Sequence, residues 1–172
     1  MLQQLKNRSN CSGSTLLEVL IVISLMAFMA GMAVNFIFYN DRSLVRYELD
    51  ALYLNIMACQ QKAYITGQQQ EIVFDGEHNQ YICGGVRYVL PKSVKFGYKD
   101  GMFGPPALPM GMIKHSVTFP HNILICYPDG ILSAGTLYLT DVKKHSCYAL
   151  SIAVAQVSCV RRYVFKNKWV LL

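Results

Sequence analysis

Motifs that mark enzymes and metal sites are missing from this sequence. Its four histidines, His78, His115, His121 and His145, are scattered and lack the paired spacing of metal ligands. The cysteines form no CxxC pair, and neither a nucleophile elbow nor a phosphate-binding glycine loop occurs. We therefore expect a protein that is not an enzyme and that has no catalytic residues, metal or cofactor.

Charged residues are absent from a long apolar stretch, residues 19–40. As a helix, this stretch would cover about 33 Å, enough for a hydrocarbon core of about 30 Å. Lys6 and Arg8 precede it, whereas the mixed pair Asp41 and Arg42 follows it, so the positive-inside rule predicts a cytoplasmic N-terminus. No small-residue cleavage site follows the stretch, so we expect it to be retained as a single membrane pass.

The residues that lead into this stretch resemble the N-terminus of type IV prepilins and pseudopilins. A short basic leader ends at Gly13, and Ser14-Thr15-Leu16-Leu17-Glu18 leads into the apolar run. In that family, a membrane-embedded peptidase cuts after the glycine, and the new N-terminal amine is methylated. The resemblance implies leader cleavage between Gly13 and Ser14, N-methylation of Ser14, and Glu18 as the fifth mature residue. Ser14 stands where the family usually has phenylalanine.

Glu18 has a physical role that follows from its position at the edge of an apolar helix. A carboxylate is costly to bury among apolar groups, so it must reach the membrane interface or find a cation. In a filament of packed helices, the free amine of Ser14 on a neighbouring subunit is the cation that we expect. This pairing would set the register of subunit assembly; the simpler alternative is a carboxylate that only reaches the interface.

Beyond the apolar stretch, the helix is predicted to continue with one buried side. Its apolar positions recur in steps of four and three residues, a spacing typical of a helix packed on one face: Val45, Leu49, Leu52, Ile56, Cys59 and Ala63. Gly67 is the expected stop. The sequence thus divides into a leader at 1–13, a long helix at 14–66 with a transmembrane part at 19–40, and a β-rich domain at 67–172.

The residues after Gly67 show the period of short strands separated by turns. Strands are predicted at residues 71–74, 80–83, 86–90, 93–98, 116–119, 123–127, 135–139, 146–153 and 160–165. Strands that are this short and closely spaced favour antiparallel pairing in two packed layers. The expected fold class is α+β, with a long N-terminal helix packed on an antiparallel β-sheet or sandwich domain.

Segments of this domain are similar to minor pseudopilins of the GspH/FimT type. Tyr88-Val89-Leu90-Pro91, followed by Val94-Lys95-Phe96, resembles their Leu-Pro stretch, and Val117-Thr118-Phe119 fits the same pattern. Tyr127-Pro128-Asp129-Gly130 and the run from Ala134 to Leu139 resemble their Pro-Asp-Gly and Gly-Gly-Thr segments. Physically, we expect these last segments to serve the fold, through a turn at Asp-Gly and a close backbone approach at Gly135.

This resemblance implies a minor pseudopilin, a structural subunit of a type II secretion pseudopilus or a related type IV filament. The implied partners are prepilin peptidase and the other pilins or pseudopilins of the filament. The implied location is the inner membrane, with the N-terminus in the cytoplasm and the β-rich domain in the periplasm, and afterwards the pseudopilus.

The loop from Lys99 to Lys114 combines residues that prevent regular structure with apolar residues that are unusual in a solvated loop. Its glycines and prolines surround Met102, Phe103 and Met110. One interpretation is a loop that docks on a partner, and the other is a loop whose apolar residues fold back on the sheet.

The cysteines present an odd number once the leader is removed. Six occur in the sequence, and Cys11 would leave with the leader, so at least one of the remaining five must be free or paired between chains in an oxidising compartment. Cys59, on the helix stripe, is most simply a small core residue. The sequence does not determine the pairing of the others, which are Cys83, Cys126, Cys147 and Cys159.

Nucleic acid is the alternative partner, because the C-terminal stretch is basic and aromatic. It carries Arg161, Arg162, Lys166 and Lys168, interleaved with Tyr163, Phe165 and Trp169. Such a stretch could grip phosphates and stack on bases, as in a DNA-binding minor pilin of a competence or type IV pilus system. However, the Gly-Arg-x-Arg segment of competence pilins corresponds here to residues 158–161, which lack the glycine and the first arginine.

Two further observations bear on this alternative. Without Lys6 and Arg8, 14 basic residues face 10 acidic ones, an excess too small to imply nucleic acid by itself. The competing interpretation of the C-terminal stretch is an edge strand whose cations face solvent and oppose aggregation.

Overall fold

A computed structural model of the protein describes residues 12–104, 111–153 and 159–172, with the backbone alone at 12–15 and 33–42. Helix α1 (Ser12–Thr66) contains no proline, so every residue can donate a backbone hydrogen bond. The predicted stop is confirmed, because Gly67 has a φ of +64°, the left-handed conformation that ends many helices. The part of the chain that the structure describes contains no helix with the length and hydropathy of a membrane span. The side chains at 33–40, within the span predicted at residues 19–40, lie outside the described residues.

Two compact units divide the chain, Met1–Asn40 and Asp41–Leu172. In the second unit, the predicted stripe of α1 is confirmed, since none of its residues is more than 4% exposed. The stripe belongs to the same hydrophobic core as residues from both sheets of this unit, among them Ile72, Leu124 and Leu150. The apolar spacing of the sequence therefore identified the packed face of the helix.

In the described part of the chain, the strands are β1 (Gln70–Asp75), β2 (Gln80–Cys83), β3 (Val86–Val89), β4 (Val94–Phe96), β5 (Ile123–Cys126), β6 (Gly135–Asp141), β7 (Cys147–Ile152), β8 (Val160–Lys166) and β9 (Lys168–Leu171). They form a first sheet in the order β3-β2-β1-β5 and a second sheet in the order β4-β6-β7-β8-β9. Every pairing between these strands is antiparallel. The α+β class with antiparallel sheets is therefore confirmed.

One strand prediction is wrong, and one strand of the structure was not predicted. Residues 116–119 do not form a strand; Val117 makes a single bridge to Leu137, next to the part of β6 that pairs with β4. A short 3-10 turn (Pro120–Asn122) then directs the chain away. Strand β9 was not predicted, since the turn before it depends on Asn167, which has a φ of +62°.

The second sheet is covered on both faces, which its sequence does not reveal. Every residue of β7 is buried, whereas a half-exposed strand would alternate. Leu150 faces the core shared with α1, and Ala149 faces a second cluster formed with Met102 and Ile113 from the loop after β4.

Gly135, at the start of β6, permits the close approach that its position predicts. A Cβ atom there would lie 2.3 Å from Cδ1 of Phe119. That ring in turn stacks on Phe74 of the first sheet, with 5.6 Å between ring centroids. Gly135 therefore gives Phe119 the space to join the two sheets.

Candidate functional site

The predicted cleavage site lies in the first turn of α1. The helix begins at Ser12, and Glu18 comes one turn after Ser14. Residues four apart lie on the same face of a helix, so Ser14 and Glu18 share a face. The side chain of Ser14 and the leader residues 1–11, including Cys11, lie outside the described residues.

Large apolar side chains around Glu18 are exposed on all sides of the helix. Each is between 47% and 69% exposed, and together they form what we call the exposed apolar segment: Leu16, Leu17, Val19, Leu20, Ile21, Val22, Ile23, Leu25, Met26, Phe28, Met29 and Met32. Five consecutive members, from Val19 to Ile23, cover the full circumference of the helix. A helix that is apolar all round requires apolar surroundings on every side.

Two polar side chains interrupt this segment, and they differ in their partners. The Ser24 hydroxyl donates to the carbonyl oxygens of Leu20 or Ile21, each 2.9 Å away, so it is satisfied within its own helix. Glu18 is exposed, and no cation among the side chains that the structure describes lies within ion-pair distance of it. Its carboxylate is therefore the charged group through which this segment can recognise a cation.

Arg162, one of the residues predicted to contact nucleic acid, is held by α1. Its guanidinium donates to the carboxylate of Asp50 and lies 4.5 Å from the ring centroid of Tyr53. Arg46 lies 3.9 Å from the same carboxylate. A carboxylate and an aromatic face together stabilise a guanidinium, so Arg162 has a structural partner on each side.

Of the other three cations, Arg161 lies on the opposite face of the sheet from Arg162, whereas Lys166 and Lys168 lie on the same face. Arg161 is the neighbour of Arg162 on β8, and successive side chains of a strand point to opposite faces. Lys166 shares the face of Arg162 and lies opposite Lys168 in the pairing of β8 with β9. The edge-strand interpretation therefore applies to Lys168, because β9 forms the edge of the sheet and β8 lies inside it.

The aromatic residues of the C-terminal stretch pack within the fold. The Trp169 indole N–H donates to the carbonyl oxygen of Phe103 at 2.8 Å, and its ring packs edge to face with Phe165, with 5.3 Å between centroids. Tyr163 is buried in the cluster on the outer face of the second sheet. Base stacking would require these aromatic rings, and their contacts within the fold already occupy them.

In the loop from Lys99 to Lys114, one apolar residue folds back on the sheet and two others are exposed. Met102 is buried, and its sulfur accepts the backbone N–H of Lys99 at 3.3 Å, so this residue folds back on the sheet. Phe103 and Met112 form an isolated bridge with each other but are exposed. Met110 and the rest of 105–110 lie outside the described residues.

The Asp-Gly turn after β5 is confirmed and is tied to α1. Gly130 has a φ of +83°, and its N–H donates to the carbonyl oxygen of Tyr127 at 3.0 Å. The Asp129 carboxylate accepts the N–H of Ile131, also at 3.0 Å. Gln60 of α1 donates its side-chain N–H to the carbonyl oxygen of Gly130. The motif therefore positions a turn against the helix, as expected of residues that serve the fold.

A surface cavity of about 500 Å³, beside α1 and β3, was not anticipated from the sequence. Its lining includes Glu48, Arg87 and the stacked rings of Tyr81 and Tyr88, whose centroids are 5.0 Å apart. Asn55 donates to the Tyr81 hydroxyl at 2.8 Å, and burial raises the pKa of Tyr81 to about 12. In the residues that the structure describes, no group of three or more His, Cys, Asp or Glu side chains is arranged to hold a metal ion.

Residues 8–34 match the family described as Prokaryotic N-terminal methylation motif. The match includes Gly13, Ser14, Glu18 and the exposed apolar segment. The chain therefore carries a type IV prepilin-like signal, which implies processing by prepilin peptidase and assembly with other pilins. Comparison with curated proteins and with solved structures gives no significant match.

Proposed function

We propose that this protein is a minor pseudopilin, a structural and non-enzymatic subunit of a type II secretion pseudopilus or a related type IV filament. The methylation motif at residues 8–34 carries this proposal. Prepilin peptidase cuts between Gly13 and Ser14, and the amine of Ser14 is methylated. The β-rich domain then lies in the periplasm.

The exposed apolar segment supplies the two attachments that this role needs. Before assembly, its side chains hold the chain in the inner membrane, and in the filament they pack against the helices of neighbouring subunits. Glu18 pairs with the Ser14 amine of a neighbour, which fixes the register of the packed helices. The exposure of these side chains on every side of α1 supports both attachments.

Replacement of the residue before the cut tests the proposal. Gly13→Leu should leave a full-length, membrane-held precursor, because Gly13 is the only residue before the apolar run that fits the cut. Gly31→Leu is the matched control: it also lies within the matched segment, and a Cβ atom there would meet nothing within 4 Å. An immunoblot of cells with active prepilin peptidase measures both, and a normal mature size for Gly13→Leu would reject the assignment.

The alternative, a DNA-binding minor pilin, is tested on residues 41–172 with a labelled duplex. A phosphate-gripping surface would bind with an affinity that falls steeply with salt and that drops when Arg161, Arg162, Lys166 and Lys168 are neutralised. We expect no appreciable binding, since Arg162 is engaged by Asp50 and Trp169 by Phe103. Salt-sensitive binding in the micromolar range would favour the alternative.

A further inference from the structure

Three cysteine thiols meet where α1 faces the first sheet. Cys59 belongs to the helix stripe, Cys83 ends β2, and Cys126 ends β5. The Cys59 thiol lies close enough to the thiols of Cys83 and Cys126 for both to shift its pKa. No disulfide joins any of the three in the structure. Cys59 is thus the central member of what we call the thiol cluster.

The strand register explains why these thiols meet. In the first sheet, β1 lies between β2 and β5; Cys83 is paired with Ile72 of β1, and Cys126 with Gln70. Ile72 and Gln70 are two residues apart, so both cysteines point to the same face of the sheet. That face carries the core residue Ile72 and packs with the helix stripe that contains Cys59.

The three thiols differ in their access to solvent. Cys59 and Cys126 are buried, whereas Cys83 is partly exposed. The Cys83 thiol also lies 3.8 Å from the carbonyl oxygen of Asn55, one turn before Cys59 on α1. An external reagent therefore meets Cys83 first, and Cys59 is the thiol that stands directly behind it.

We propose that Cys59 and Cys83 form a disulfide that fastens α1 to β2. The oxidant is a thiol–disulfide oxidoreductase in its disulfide form, the class of catalyst present in the oxidising compartment that the proposed function implies. Cys126 remains a thiol beside the bond. Of the five cysteines after Gly13, two are thereby paired within the chain.

The reaction is a thiol–disulfide exchange in two steps. The Cys83 thiolate first attacks the disulfide of the oxidant, which gives a mixed disulfide and releases one oxidant thiol. The Cys59 thiolate then attacks the Cys83 sulfur, which forms the Cys59–Cys83 bond and releases the second oxidant thiol. Two protons leave the cysteines, and two electrons reduce the oxidant.

The access of Cys83 to solvent sets the order of these steps, and the electrostatics of the cluster affect their rate. The hydrogen bond to Cys59, and then burial, raise the pKa of Cys83, while the same hydrogen bond favours the thiolate of Cys59. The hydrogen bond to Cys126, above all, raises the pKa of Cys59 to about 11. Because the thiolate is the nucleophile, oxidation without a catalyst should be slow at neutral pH and should accelerate as the pH rises.

Peptide mapping of the full chain tests the pairing. The purified protein is reduced, transferred to a buffer of oxidised and reduced glutathione, unfolded in N-ethylmaleimide and digested for mass spectrometry. We expect a peptide pair linked through Cys59 and Cys83, with Cys126 and Cys147 alkylated. Cys59→Ser and Cys83→Ser should each abolish this linked pair, and the matched control, Cys159→Ser at an exposed position, should retain it. A wild-type chain whose Cys59 stays alkylatable, or pairs with another cysteine, would overturn the proposal.

Thermal unfolding of the same samples gives a second readout. A disulfide between Cys59 and Cys83 closes the segment of chain between them. It should raise the melting temperature of the oxidised chain above that of the reduced chain by about 10 °C. The difference should vanish in Cys83→Ser, whose side chain is only partly buried. Equal melting temperatures in the wild type would contradict a fastening role.

The outcomes separate this proposal from the proposed function on which it rests. Pairing of the purified chain does not require cleavage after Gly13. A chain that is cleaved normally but does not pair rejects the disulfide alone, whereas a chain that pairs but is not cleaved rejects only the pseudopilin assignment.

Discussion

The two stretches of α1 use apolar residues in opposite ways. In the exposed apolar segment, large side chains point in every direction and are about half exposed or more. From Val45 to Ala63, the buried residues form one stripe, and Arg46, Gln61 and Lys62 on the other sides are exposed. One continuous helix therefore carries two kinds of surface.

This difference teaches that spacing, and not apolar content, indicates how a helix is stabilised. A stripe needs a partner on one side, which the β-rich domain supplies within the chain. Apolar residues on every side need partners on every side, which a lipid phase or a filament of helices supplies. The first stretch is thus built for assembly, and the second for folding.

The largest expected effect distinguishes two isoleucines on this helix. Ile56→Ala should lower the free energy of unfolding of the β-rich domain by about 2 to 5 kcal/mol, because it leaves a cavity in the core. Ile23→Ala removes the same atoms from an exposed position and should leave unfolding unchanged. Urea titration of the full chain in detergent, followed by Trp169 fluorescence, measures both. Equal losses for the two variants would show that the two stretches of α1 do not differ in their contribution to folding.

The next effect concerns assembly and not folding. Glu18→Gln keeps the shape of the side chain and removes its charge, so membrane insertion and cleavage should survive. Removing one partner of an ion pair among apolar groups leaves the other uncompensated, at a cost of about 3 kcal/mol, or roughly a hundredfold in subunit association.

The matched control for this variant is Glu48→Gln, an acid on the second stretch of the same helix. Crosslinking to the major subunit measures incorporation of both variants. If Glu18→Gln enters filaments as the wild type does, the ion-pair mechanism is wrong, although the prepilin-like signal would stand.

A smaller effect is expected where the β-rich domain has no room for a side chain. Gly135→Ala should destabilise it by about 1 to 3 kcal/mol, since the added Cβ displaces the Phe119 ring from its stack on Phe74. Gly76→Ala is the control, because a Cβ there meets nothing within 4 Å. Thermal melting compares the two, and an unchanged melting temperature for Gly135→Ala would show that the ring can move freely.

The smallest expected effect is a loss of folding stability at low pH, which arises at the turn after β1. The backbone N–H of His78 first, and then the side chain of Gln80, donate to the Asp75 carboxylate and lower its pKa to about 2. A carboxyl whose pKa is lowered in the folded state contributes stability above its unfolded pKa of about 4, and this contribution is lost as the pH falls through about 2.

Asp75→Asn should therefore remove part of the stability that the wild type loses between about pH 4 and pH 2. Unfolding in urea at a series of pH values measures the difference. Parallel curves for the two proteins across this range would show that the turn does not contribute.

Local patterns identified most of the secondary structure, and they failed where a distant partner decides. The helix stripe and the stop at Gly67 are correct, because both depend on residues close together in the sequence. Residues 116–119 have the composition of a strand, but they make only a single bridge to β6 before the chain turns at Pro120. Strand β9 was overlooked because Lys-Asn-Lys looks like solvent-exposed loop, whereas Asn167 forms a tight turn.

The sequence by itself determined the N-terminal signal, the helix, and the turns at Gly67 and Gly130, since a motif or spacing of residues close together in the chain specifies each of them. Only the tertiary structure decided that Arg162 meets Asp50, that Met102 lies under the sheet, and that Cys59 stands between Cys83 and Cys126. These contacts join residues far apart in the chain. Their formation depends on which strands pair and on which face of the helix they cover, and no local spacing records that choice.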